Sequence, residues 1–118
     1  MAETNNKKAE NVERNLIVAI VNHGYSDLVM NAARKAGAKG GTVSSGRGTA
    51  DPEMASFYGI TLTPEKDMVY MVVDSSDRDR IMKVIYEEAG LTSKGNGILF
   101  SLPITETVGL EGQKSEGE

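Results

Sequence analysis

An α+β fold, one antiparallel sheet with two helices on a single face, is what the sequence predicts, and three observations lead there. Apolar runs at residues 16–21 and 68–73 are each followed by a helix signal and then by a further strand signal, so the chain carries strand-helix-strand twice. The two helix ends match, Lys35-Ala36-Gly37-Ala38 against Glu88-Ala89-Gly90-Leu91. A long link, residues 46–66, separates the halves. A doubled strand-helix-strand joined this way is the ferredoxin-like, split βαβ-βαβ arrangement.

The first strand is expected at residues 16–21, with a turn at Asn22-His23-Gly24 and a helix over residues 27–36. Ser26 has the side chain wanted at an N-cap, and Gly37 falls where a left-handed residue closes a helix. A second strand is expected at 41–45. In the second half, residues 68–73 form the strand, and Ser76 with Asp79 resembles a capping box. Ile81, Val84 and Ile85 make the apolar stripe of the second helix, Gly90 ends it, and the last strand runs over 98–102. Met30, Met68, Met71 and Met82 stand at core-like positions of an interior poor in aromatics.

The strands are apolar on both faces. Leu16, Val18 and Ile20 alternate with Ile17, Ala19 and Val21, and Met68, Tyr70 and Val72 alternate with Val69, Met71 and Val73. Helices on one face leave the other bare, and a face open to water would carry polar residues at every second position. Other copies of the chain, in a homo-oligomer, are the simplest cover; a central strand of a monomeric α/β layout is the alternative.

Composition bounds the function. At 118 residues, with 39% hydrophobic and 25% charged residues, the chain is one soluble domain. It divides into an N-terminal tail (1–14), a folded module (15–110) and a C-terminal tail (111–118), the tails being too polar to bury. With no cysteine and one histidine, disulfide scaffolds, thiol nucleophiles and ordinary zinc sites are excluded. A net charge of −4 offers no basic surface for nucleic acid, and the strands lack the stacking aromatics of an RNA-binding sheet. No run is long enough to span a bilayer and residues 1–14 lack the apolar centre of a secretory signal, so the expected location is cytoplasmic. His23 reads as a turn residue, since no nucleophile-His-acid set is legible, and no catalytic residue is assigned. Asp51, Glu53 and Glu65 read as solvated charges, and no metal site is assigned.

Two glycine-rich segments, 40–49 and 94–100, each beside a short apolar run, point to a ligand site built from backbone. Consecutive N–H groups made accessible by glycine form an anion-binding concavity, which suggests a phosphorylated small molecule. Plainer readings stand beside this one: Asn96-Gly97 also suits a hairpin turn, Gly40-Gly41 close packing, and Arg47 a solvated loop charge. The long link exceeds the usual connection length and carries Asp51, Phe57 and Tyr58, suited either to contacting a partner or to folding back on the body.

At these residues the chain resembles the PII signalling-protein superfamily, over nearly the whole folded module. Residues 37–47 are similar to that family's second strand and the start of its T-loop, and 46–66 falls where the T-loop lies. Thr92-Ser93-Lys94-Gly95-Asn96-Gly97-Ile98-Leu99-Phe100, followed by Leu102-Pro103-Ile104, resembles the B-loop (here 92–97) and its strand. The resemblance implies a homotrimer that binds an adenine nucleotide between subunits and regulates a membrane transporter or metabolic enzyme through the T-loop. By matched position it implies Ser44, Ser45, Gly46 and Arg47 on one wall of the cleft, and Lys94, Gly95, Asn96 and Gly97 on the other, with Asp51, Phe57 and Tyr58 in the partner-binding loop. Three departures bear on the ligand. Ile98 replaces the B-loop lysine, Gly109-Leu110-Glu111-Gly112 replaces a basic C-terminal motif, and the T-loop glutamine has no match near Gly48. Fewer countercharges imply weak ATP binding, or a preference for ADP, AMP or another small anion. A trimer resembling the CutA group, structural and without nucleotide sensing, is the alternative. An acylphosphatase-type enzyme would need an arginine in its early glycine loop, where this chain has Asn22-His23-Gly24-Tyr25.

Overall fold

The computed structural model describes residues 12–59, 64–93 and 96–110. Both expected tails fall largely outside the described residues, as do Lys94 and Gly95. Strands β1 (Arg14–Asn22), β2 (Thr42–Arg47), β3 (Glu65–Asp74) and β4 (Gly97–Ile104) form one sheet in the order β2-β3-β1-β4, with every neighbouring pair antiparallel. β1 and β2 therefore run parallel with β3 between them, and β3 and β4 run parallel with β1 between them. This is the split βαβ topology expected from the doubled pattern. Helix α1 (Ser26–Lys35) links β1 to β2, and α3 (Ser75–Glu88) links β3 to β4.

The core lies between the sheet and these two helices. Ile17, Ala19 and Val21 of β1 and Val69, Met71 and Val73 of β3 point to one side, as the two-residue period of a strand requires, and are all buried. Val29 and Ala33 of α1 meet them, as do Ile81 and Ile85 of α3, each pair spaced by one helical turn. Val84 is only half-buried, so the working stripe of α3 is narrower than predicted. Gly37 and Gly90 follow the two helices with φ of 115° and 81°.

Both predicted N-caps are corrected. Ser26 is the first helical residue of α1 and Tyr25 stands at the cap position, without a side-chain capping bond. The Ser76–Asp79 capping box does not form either, because β3 runs directly into α3: Asp74 ends the strand, occupies the cap position and makes no side-chain capping bond. The helix start is held instead by β1 and the residue before it, with the Ser75 amide donating to the Glu13 carbonyl at 2.9 Å and the Ser75 hydroxyl to buried Asn15 of β1. The hairpin reading of Asn96-Gly97 also fails, since Gly97 opens β4 after a helix and its strand pairs with β1.

The long link differs from a featureless loop. The β2–β3 ladder continues to Arg47 opposite Glu65, and the Gly48 amide donates to the Pro64 carbonyl beyond it, so the root is paired. Within it lies α2 (Pro52–Phe57), which the sequence reading did not foresee. Its start follows from local chemistry: the Asp51 carboxylate accepts the Glu53 amide at 2.9 Å, and Pro52 occupies the first turn, where its missing N–H costs nothing.

The sheet face away from the helices is bare and apolar. Three rows cross it in register, Leu102–Leu16–Val72, Phe100–Val18–Tyr70 and Ile98–Ile20–Met68. Ile98, Leu102, Phe100 and Val72 are 57%, 46%, 38% and 38% exposed. The two-faced apolar pattern of β1 and β3 thus belongs to a sheet that the described residues cover on one side only.

Candidate ligand site

Both glycine-rich segments reach the same end of the sheet. The last rows there run Gly46–Lys66–Asn22 and Ser45–Asp67–Val21–Gly97. Yet β2 and β4 are the two edges, with β3 and β1 between them. Three strand spacings separate the segments, about 14 Å. One chain therefore does not bring residues 44–47 against Asn96 and Gly97.

The strand pleat splits the first group. Ser44 and Gly46 lie on the bare face with Met68 and Lys66, while Ser45 and Arg47 lie on the helix side with Asp67 and Glu65. The Ser44 hydroxyl donates to the Tyr70 hydroxyl oxygen at 3.3 Å, and Tyr70 in turn donates to Met68 Sδ at 3.7 Å. Ser45 and Arg47 are exposed. In the second group, the Asn96 side-chain amide donates to the Gly90 carbonyl at 2.8 Å, tying the segment to the end of α3. A Cβ on Gly97 would stand 2.6 Å from the Ile20 carbonyl oxygen and 2.9 Å from Leu91 Cδ2, so glycine is required there by packing. Gly41 is similar, with a Cβ falling 2.8 Å from the Tyr70 carbonyl oxygen. The close-packing reading of Gly40-Gly41 thus holds at Gly41 but not at Gly40, where a Cβ would meet nothing within 4 Å, and packing also explains Gly97, for which the sequence suggested a hairpin turn. Asp51 serves as the α2 cap, and Phe57 and Tyr58 stack edge to face at 5.1 Å, 79% and 55% exposed.

Between the two segments sits a polar cluster that the sequence reading missed. Lys66, half-buried on the bare face, donates from Nζ to the Asn22 side-chain carbonyl at 2.7 Å. Among the described residues no carboxylate pairs with it, so its charge is met by a neutral amide alone. On the opposite face Asp67 is buried and accepts His23 Nδ1–H at 3.0 Å and the Gly24 amide at 2.9 Å. The hydrogen bond to Asp67, then its negative charge and that of Glu65, raise the His23 pKa above 6.5. The bonds from His23 and Gly24 hold Asp67 below the ordinary aspartate value of 3.8. The signal in sequence was Glu65-Lys66-Asp67, three charges at the mouth of an apolar run, but which partner each would find is a matter of register. His23 lies in the turn where the sequence placed it. No set of three His, Cys, Asp or Glu side chains is placed to hold a metal among the described residues. No helix among them is long and apolar enough to cross a membrane.

Comparison with known proteins identifies the lineage. The family model described as "Nitrogen regulatory protein P-II" matches residues 14–114. The chain belongs to the P-II family. Among solved structures, this P-II member is similar to Arabidopsis thaliana PII bound to citrate, with 24% sequence identity and a TM-score of 0.63, over 86% of this chain and 84% of that one. No curated protein sequence matches it.

Proposed function

We propose that this P-II family member is a cytoplasmic, non-catalytic signalling homotrimer that senses a small anion, an adenine nucleotide, in clefts between subunits. Its long link acts as a T-loop that regulates a membrane transporter or metabolic enzyme. One observation carries the reading: the two glycine-rich segments share one end of the sheet but occupy opposite edges. A neighbouring subunit that brings its β4 edge beside the β2 edge of the first would close that gap. Three copies meeting through the apolar faces would bury the rows centred on Leu16, Val18 and Ile20.

Covering that face supports a charged ligand. Lys66 lies at its end with Asn22 as its one partner among the described residues, and an ammonium taken out of water needs a negative charge close by. Lys66 from the bare face and Arg47 from the T-loop root are the described cations that flank the cleft on one subunit; Lys94 and Gly95 belong to the other wall by position. Ile98 stands where the family pattern has a lysine, so a triphosphate would be matched by few charges, and ADP or AMP suits the site better than ATP. Phe57 and Tyr58, exposed on and beside α2, are the contact residues for a target, with Asp51 fixing the helix that presents them.

The test is a thermal-shift titration with ATP, ADP and AMP, with and without Mg²⁺, alongside light-scattering mass. A native-state ligand at about 100 times its dissociation constant adds roughly 2.7 kcal/mol. A trimer selectively stabilised by one adenine nucleotide supports the reading. A trimer that no anion stabilises would favour a structural, CutA-like assembly, and a monomer would remove the cleft altogether.

A further inference from the structure

The turn Asn22-His23-Gly24 and the first residues of β3, where the long loop returns to the sheet, are joined by four hydrogen bonds. The His23 amide donates to the Glu65 carbonyl at 3.1 Å, the Gly24 amide and the His23 ring to the two oxygens of the Asp67 carboxylate, and Lys66 Nζ to Asn22. The fasteners come from both faces of one strand, so the turn grips the root of the loop on each side. Asp67 is buried whereas the His23 side chain is 69% exposed, so the proton on that ring exchanges freely with solvent while its acceptor stays inside.

We propose that His23 and Asp67 form a proton-operated clasp that ties the β1–α1 turn to the root of the long loop and slackens on deprotonation. With a charged ring, Nδ1–H faces a full carboxylate, an ion pair reinforced by a hydrogen bond. Loss of the proton removes the charge: the neutral ring keeps the hydrogen bond, without its ionic reinforcement, in the Nδ1–H tautomer, and only the Nε2–H tautomer sets a lone pair of Nδ1 against Asp67 Oδ1. The buried carboxylate then keeps the Gly24 amide, with Ser26 close by, and loses its only cation among the described residues. The charged groups on the elements meeting here are Asp67, Glu65 and Lys66 on β3, Arg47 opposite Glu65 on β2, and Asp27 in the first turn of α1. Of these, Asp67 and Glu65 stabilise the charged ring. The loop root is coupled through the ladder, since Gly48 bonds to Pro64 one step beyond the Arg47–Glu65 pair and Glu65 accepts from His23. The loop of this protein is therefore anchored more firmly below the His23 titration than above it, a sensitivity separate from any anion it binds.

His23 is the single histidine, so its ring resonances report the clasp without ambiguity. The experiment combines an NMR titration of that ring with amide hydrogen exchange of the full chain, corrected for intrinsic rates, at pH 6 and pH 8.5, without added ligand. The expected results are a ring that titrates above 6.5 and protection at Gly24 and Gly48 that falls severalfold at the higher pH. In His23→Gln, whose exposed side chain leaves the core untouched, protection should sit near the high-pH level at both pH values. A ring titrating at or below 6.5, or a pH response of exchange equal in wild type and His23→Gln, overturns the clasp. A loss confined to Gly24 with Gly48 unchanged overturns its link to the loop.

Discussion

Replacing Leu102 by aspartate on the bare sheet face should convert the proposed trimer to monomers without unfolding the subunit. Leu102 lies in the row with Leu16 and Val72 and is 46% exposed in the single chain. Full burial of a leucine side chain is worth about 1.5–3 kcal/mol, so covering the exposed part contributes about 1 kcal/mol per subunit. Treating Ile98, Phe100 and Val72 the same way brings the four side chains to about 3–5 kcal/mol per subunit, or about 9–15 kcal/mol for three. That is the order of magnitude a stable association needs against its loss of translational freedom. An aspartate at 102 forfeits its own share and places a carboxylate in a closed apolar layer, at an effective cost of several kcal/mol per ion. Three such sites exceed the estimated gain. The assay is sedimentation equilibrium at micromolar protein, with far-ultraviolet circular dichroism as the control for folding. A wild type that sediments as a monomer, or a Leu102→Asp variant that remains trimeric, would refute the argument that this face is the interface.

Three further outcomes are expected. Gly97→Val should destabilise the chain by about 2–4 kcal/mol in urea unfolding, because its Cβ would lie 2.6 Å from the Ile20 carbonyl oxygen in a fixed strand; an unchanged midpoint would show that β4 can move away. Lys66→Met should leave the ligand-free melting temperature nearly unchanged while abolishing most of the stabilisation by ADP, since among the described residues Nζ bonds to neutral Asn22 alone; a full ADP response would remove Lys66 from the site. Stability should fall on both sides of a plateau. A raised His23 pKa gives stability present at low pH and lost as pH climbs through the titration above 6.5, and a lowered Asp67 pKa gives stability lost as pH drops through its titration below 3.8. Urea unfolding against pH should show both limbs in wild type, and in His23→Gln no alkaline limb and a smaller acidic one, since the Gly24 amide still bonds Asp67.

Much of the architecture was legible because it is written in local periods. Unbroken apolar runs at residues 16–21 and 68–73 marked β1 and β3, and the spacing of Ile81 and Ile85 marked the buried side of α3. Helix starts were less legible. Ser26 and Ser76 have the right side chains for caps, but a cap depends on where the preceding strand ends, and β3 ends at Asp74 with no residues to spare before α3. Helix α2 was passed over although Asp51-Pro52 announces it, because a six-residue helix has too short an apolar pattern to register.

For the ligand site, the sequence by itself determined which stretches lack side chains and which charges stand near them: Ser44 to Arg47, Asn96, Gly97, and the absence of a lysine at Ile98. It also determined that the sheet would have a second apolar face, since the period of a strand assigns every other residue to each side. Only the tertiary structure decided that the two glycine segments share one end of the sheet while sitting on opposite edges, that Gly41 and Gly97 are glycines for packing, and that Lys66 meets Asn22 while Asp67 meets His23. These are consequences of strand order and register, and both are set by contacts between residues far apart in the chain, 44 positions for His23–Asp67 and Asn22–Lys66. A local pattern carries the face on which a side chain lies, but not the neighbour it finds there.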